Sequence, residues 1–155
     1  MVKLYKALVR PKLEYCIQAW RPYLKGDIEK LERVQHRATK MIAGCGNMSY
    51  EDRLKYTGLT TLEDRRNRGD VIEVFKYLKG FSDIDFGKYF KIVENSRTRG
   101  HKYKIEKVRS RLDIRKNFFT QRVVNDWNTL PGVVVEATSV NGFKNRYDKY
   151  MEEKL

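Results

Sequence analysis

The chain is predicted to be mainly α, on three observations. Apolar residues recur at three- and four-residue steps through most of its 155 positions. Ser49 and Thr60 each stand three residues before an acid, Asp52 and Glu63, and open an apolar run as capping boxes do. Two-residue alternation is confined to the neighbourhood of Tyr103 and Ile105. The architecture expected is a helical bundle, then a small basic segment with at most one short β-hairpin, then two helices. Helical spacing covers residues 2–43, 50–57, 61–79, 117–130 and 140–153.

In chain order, Leu4, Leu8, Leu13, Ile17 and Trp20 make the first series, and Pro11 is expected to end one piece and open the next. Arg21-Pro22 stops it. Asp27 is the expected cap of a second helix whose stripe is Ile28, Leu31, Val34, Ala38, Met41 and Ile42, closed by Gly44 and Gly46. Ser49 caps a short helix ended by Gly58. Thr60 starts another, with Leu62, Val71, Ile72, Phe75 and Leu78 as its stripe and Gly80 behind it. Residues 81–96 read as a connecting loop with one helical turn near Phe86–Phe90. Around Lys102–Glu106 the alternation puts Tyr103 and Ile105 inward and Lys102, Lys104 and Glu106 outward. Helical spacing returns with Phe119, Val123, Trp127 and Leu130, and Leu130-Pro131-Gly132 ends it. Ser139 caps a last helix carrying Val140, Phe143, Tyr147, Tyr150 and Met151.

With 41% apolar and 12% aromatic residues the chain can build a core, despite 34% charged residues. No apolar run approaches the ~18 residues of a membrane span. The two cysteines, Cys16 and Cys45, form no CxxC pair, which favours a reducing intracellular setting. Cys16 is expected in the core, as a free thiol packs like a small hydrophobe. The aromatics Trp20, Phe118, Phe119, Trp127, Tyr147 and Tyr150 fall at helical spacing and read as core. Met1 leads straight into a helical pattern with no loop or cap, the look of an internal piece of a longer protein.

Charge is the strongest functional signal. The net charge is +13, and residues 97–122 (RTRGHKYKIEKVRSRLDIRKNFFTQR) hold ten Lys/Arg against Glu106 and Asp113, net +8. Residues 123–155 hold four basic and five acidic groups. So lopsided a field fits a polyanion, and nucleic acid is the usual one for a basic domain. Arg97, Arg99, Lys102, Lys104, Lys107, Arg109, Arg111, Arg115 and Lys116 are the candidate phosphate-contacting residues. Two other basic groups have acids beside them and read as solvated or paired surface. They are Arg65, Arg66 and Arg68 with Glu63, Asp64 and Asp70, and Arg33, Arg37 and Lys40 with Glu29 and Glu32.

Catalytic patterns are missing from these residues. There is no GxSxG, phosphate-binding glycine loop or HExxH. Cys16, His36, Cys45 and His101 match no zinc spacing. His36 sits among Arg33, Arg37 and Lys40 and is expected to face solvent. Glu51-Asp52 and Glu63-Asp64 lie where helix first turns favour negative charge. No catalytic residue, cofactor or metal is expected.

The blocks LYKALVRPKLEYCIQAWRPYLKGDIEKLERVQHRATKMIAG, SYEDRLKYTGLTTLEDRRNRGDVIEVFKYLKG, SRTRGHKYKIEKVRSRLDIRKNFFTQRVVNDWNTLP and SVNGFKNRYDKYM, in that order, resemble the region after the catalytic palm of non-LTR (LINE-type, jockey-like) retrotransposon reverse transcriptases. The resemblance runs from about Leu4 to Tyr150. It implies a helical thumb and the tail beyond it: residues 1–80 as a thumb-like bundle, 81–96 as a connection, and 97–155 as the basic segment with the C-terminal helices. It implies a grip on template–primer duplex, RNA, DNA or hybrid. The palm's aromatic-x-Asp-Asp motif is absent, as no Asp-Asp pair occurs, so no catalytic role carries over. The expected function is a non-catalytic nucleic-acid-binding fragment, placed inside the cell with the nucleus favoured. The alternatives are a domain that self-associates or docks to a palm through the face of Leu4, Leu8, Leu13 and Ile17, and a decayed element with no selected function.

Overall fold

The computed structural model describes residues 1–94 and 100–154. It is mainly helical, and its described residues include no strand, only an isolated antiparallel bridge between Ile92 and Ile105. Contacts divide the chain into two compact units, Met1–Arg68 and Gly69–Leu155. The sequence put the seam at 81–96. The division instead falls inside a helix, because Val71, Ile72, Val74 and Phe75 belong to the second unit's core.

The first unit opens with α1 (Val2–Leu4), a π turn (Tyr5–Val9) and α2 (Arg10–Glu14). Pro11 sits in the first turn of α2, opening that piece as expected, though no break in the chain's helical path precedes it. A proline in a helix has no N–H to give and crowds the carbonyl four residues back. Here the chain widens to five-residue spacing just before it, with Arg10 N–H on the Tyr5 carbonyl. The break comes at Tyr15–Cys16, where Cys16 takes a left-handed conformation, φ 52°. Cys16 is exposed there, against the expectation of burial, while Cys45 is buried. Trp20 is also surface-lying, at 41% exposure. Helix α3 (Ile17–Trp20) stops at Arg21-Pro22 as expected.

Helix α4 (Lys25–Lys40) begins one turn earlier than its expected cap. Leu24 holds the cap position, and Asp27 lies in the first turn, paired with Lys30 at 2.9 Å. Its expected apolar stripe is not a buried one: Val34 is 38% and Met41 65% exposed. The fully buried positions are Gln35 and Thr39. Helix α5 (Tyr50–Thr57) has the expected cap, with Ser49 Oγ accepting from Asp52 N–H at 3.1 Å, and the expected stop at Gly58, φ 60°. Helix α6 (Leu62–Lys79) starts one residue later than read: Thr61 accepts from Asp64 N–H at 3.0 Å.

A polar network holds the first unit. Tyr5 Oη donates to Gln35 Oε1 at 2.9 Å. Gln35 Nε2 donates to Tyr50 Oη and the Thr60 carbonyl, each at 2.9 Å. Tyr50 Oη donates to Glu32, whose carboxylate also accepts the Leu62 N–H at 3.0 and 3.2 Å. An acceptor on α4 thus serves the open N-terminus of α6. Burial and the neighbouring Glu32 raise the Tyr5 hydroxyl to about 12. His36, expected in solvent, is half-buried and stacks on Tyr50, centroids 3.4 Å apart.

Arg66 was expected on a solvated or paired surface. It is 1% exposed, and none of its three guanidinium nitrogens has a hydrogen-bond partner among the described residues. Its acidic neighbours are engaged elsewhere. Glu14 takes both arms of Arg65, and Glu32 serves Tyr50 and Leu62. Burial, then Arg21, lowers its pKa. A buried charge without hydrogen bonds costs more than it returns. Arg66→Met is therefore expected to stabilise the chain by about 1–3 kcal/mol. Urea unfolding checks this, and a lower midpoint for the variant would contradict it.

The second unit comprises the rest of α6 with α7 (Phe86–Tyr89), α8 (Asp113–Lys116), α9 (Phe119–Thr129), α10 (Gly132–Val135) and α11 (Val140–Lys154). Ser139 serves α11 as expected, its Oγ accepting the Gly142 N–H at 3.0 Å. Pro131-Gly132, read as a stop, also starts the short α10, since proline suits the entry to a helix. That turn buries Val134 and Val135. The core gathers Trp127, Phe75 and Phe143, all fully buried, with the last two rings stacked at 4.3 Å. Each such side chain contributes about 1.5–3 kcal/mol by leaving water. Phe118, expected in the core, is 47% exposed.

Candidate nucleic-acid interface

The basic segment is tied to α9 by hydrogen bonds from side chains to main chain. Asn128 meets one residue twice: its Oδ1 accepts the Ile105 N–H and its Nδ2 donates to the Ile105 carbonyl, both at 2.8 Å. The carboxamide thereby occupies the place of a neighbouring strand. On the other edge Val93 N–H donates to the Lys104 carbonyl and Glu106 N–H to the Lys91 carbonyl, each at 2.8 Å. The expected hairpin is reduced to this one bridge because α9 supplies the remaining partners. Trp127 Nε1 donates to the Tyr103 carbonyl at 2.8 Å. His101 Nε2 lies 3.2 Å from the Trp127 carbonyl, and Tyr103 N–H lies 3.2 Å from His101 Nδ1. A ring that donates at one nitrogen and accepts at the other is neutral.

This anchoring sorts the segment as the alternation predicted. Ile105 is 1% exposed and Tyr103 packs on the core, while Lys102 and Glu106 face solvent and Lys104 is half-buried. Lys79 and Lys102 both place ammonium groups over the Tyr103 ring, at 4.8 and 5.3 Å from its centroid.

Beyond Glu106 the chain forms one wall of a concavity of about 530 Å³. Lys107, Val108, Arg109 and Ser110 line one side, and Lys116, Asn117, Gln121, Arg122 and Asn125 the other. Of the nine predicted site residues, Lys107, Arg109 and Lys116 converge here. Lys102, Arg111 and Arg115 are exposed but do not line it, and Lys104 does not reach it. Arg97 and Arg99 lie outside the described residues.

The cations differ in how committed they are. Lys107 Nζ donates to Asn125 Oδ1 at 2.9 Å, a neutral partner that leaves its charge in place. Lys116 meets Asp113 at 2.6 Å on the surface, and that bond holds the Asp113 carboxyl below its ordinary range. Such an exposed pair opens at little cost. Arg115 packs its guanidinium 5.3 Å from the Phe118 ring centroid. Arg122 is locked: Nε and Nη2 donate to the two Asp70 oxygens at 2.8 and 3.0 Å, and Nη1 donates to the Asn117 carbonyl at 3.0 Å. With Asp70 2% exposed, this is a structural pair joining α6 to α9.

Sequence reasoning passed over the amide face. Gln121 and Asn125 step by four along α9, and Asn117 precedes them in the turn between α8 and α9. That spacing was available as a signal beside the cationic run. Among the described residues no group of three or more His, Cys, Asp or Glu is placed to hold a metal, and no helix is long and apolar enough to cross a membrane. No protein-family model, curated protein or solved structure matches the chain.

His101 makes the anchoring sensitive to pH. Burial lowers its pKa, the Trp127 carbonyl pulls it back up, and Lys104 and Glu136 act in opposite directions. The unfolded chain takes up a proton near pH 6.5, whereas folded His101 resists it. Stability from this group is complete above pH 6.5 and is lost as pH falls below it. His36 is held down in the same sense by burial. Thermal unfolding between pH 7.5 and 5 is expected to show a falling midpoint, with a shallower slope in His101→Gln. An equal slope in that variant would remove His101 as a cause.

Proposed function

We propose that this chain is a non-catalytic nucleic-acid-binding fragment of a retrotransposon reverse transcriptase, gripping a template–primer duplex through its phosphates. The observation that carries the reading is the convergence of Lys107, Arg109 and Lys116 on one concavity, in the segment that holds most of the excess charge. Three long exposed cations with neutral or loosely held partners suit phosphate oxygens, which reward charge and ask for little sequence information. The blocks that resemble non-LTR enzymes support that parent family, and the missing Asp-Asp motif fits a non-catalytic role. On this reading the partner is an RNA, DNA or hybrid duplex and the setting is intracellular.

The expected dissociation constant lies at about 10⁻⁴–10⁻⁶ M at physiological salt, as for sequence-independent binding. Replacing Lys107, Arg109 and Lys116 together by alanine is expected to flatten the dependence of log K on log salt by about 2–3 units. Fluorescence anisotropy at several salt concentrations measures both. Wild-type affinity that does not change with salt would refute phosphate contacts.

The second reading, self-association or docking to a palm, is favoured by Leu4 and Leu8, exposed at 60% and 62%. The face is smaller than the sequence implied, since Ile17 is buried and Leu13 half-buried. On this reading light scattering after size exclusion gives a dimer mass that Leu4→Glu with Leu8→Glu returns to the monomer value. A monomer at high concentration rejects the self-association form.

A further inference from the structure

The concavity has a floor as well as a charged rim. Gln121 is 8% exposed and lines it, yet its side-chain carboxamide makes no hydrogen bond among the described residues. Its amide atoms are not fully buried and so open into the concavity. The amides on either side are each half used. Asn117 Nδ2 donates to the Asp113 carbonyl at 2.9 Å, and its Oδ1 takes no hydrogen bond among the described residues. Asn125 Oδ1 accepts from Lys107, and its Nδ2 makes none among the described residues. The site therefore offers donor and acceptor capacity beneath Lys107, Arg109 and Lys116.

A carboxamide presents a donor and an acceptor side by side, the pattern shown by the edge of a nucleobase. A duplex groove is read by side chains that protrude into it. Gln121 is recessed, so the ligand must protrude instead. A volume near 530 Å³ falls in the range of small-ligand sites and suits one base with its sugar. A base that enters alone has left its pairing partner and shows its whole edge.

We propose that this concavity receives one unpaired nucleotide, with its phosphate on Lys107, Arg109 and Lys116 and its base edge on the Gln121 carboxamide. The proposal rests on the phosphate-binding reading above and adds that a strand end or an extruded base is the preferred form of the nucleic acid. Locked on Asp70, Arg122 shapes the wall and leaves the phosphate to the other three cations.

Three labelled DNA duplexes of one sequence separate the possibilities. One is blunt, one carries a two-nucleotide 3′ overhang, and one carries the same overhang with abasic sites. Binding of the full chain to each is measured by anisotropy at fixed salt. The overhang with bases is expected to bind about tenfold more tightly than the abasic one, the gain of one or two net hydrogen bonds. In Gln121→Met, which keeps the side-chain volume, that ratio is expected to fall toward one, with far-UV dichroism reporting on the fold. Equal affinity of wild type for the two overhangs, alongside salt-dependent binding, would overturn the base pocket and leave the phosphate reading standing. Absence of salt-dependent binding to all three would overturn both.

Discussion

The second unit's cationic surface depends on one small contact, the paired hydrogen bonds between the Asn128 carboxamide and Ile105. A lone extended segment leaves alternate N–H and C=O groups without partners, and burying them unmet is costly. Asn128 satisfies both groups of Ile105, the most deeply buried described residue of the basic segment. Once Ile105 is held, side-chain alternation dictates the rest: Tyr103 turns to the core and Lys102 outward. The Trp127 and His101 bonds repeat the device one and two steps upstream. A helix thus stands in for a strand on one edge, while the short bridge from residues 91–93 holds the other.

The charge is divided between two jobs. The buried Asp70 and the half-buried Arg122 bind each other with two hydrogen bonds, which fixes how α9 lies along α6 within the second unit. Paired charges of this kind specify geometry more than they add stability. Lys107, Arg109 and Lys116 stay in water, where they are free to exchange solvent for an anion. Counting cations along the chain treats both kinds alike; burial is what separates them.

Legibility in the sequence followed the physics of each signal. Helices were readable where local chemistry sets them, as at Ser49, Gly58 and Ser139, because a cap acts within one turn. The boundary at Pro11 was readable, but the break at Cys16 was not, since nothing local announces it. The α4 stripe misled for another reason. Its buried positions are polar, Gln35 and Thr39, and their partners lie in Tyr5, Tyr50 and Arg53, far away in the chain. The candidate interface was half visible. Like-charged residues in a row are conspicuous, whereas amides at four-residue spacing look like ordinary surface until burial singles out Gln121.

The Glu32 carboxylate on the first N–H of α6 ties that helix to a residue thirty positions earlier. Closing so long a loop is slow compared with winding a helix. The start of α6 has its own acids, Glu63 and Asp64, and the Thr61 cap, but the N–H of Leu62 meets its acceptor only once α4 has docked. Order at this end of the helix is therefore part local and part borrowed from tertiary assembly, while its far end carries its own Gly80 stop, φ 70°.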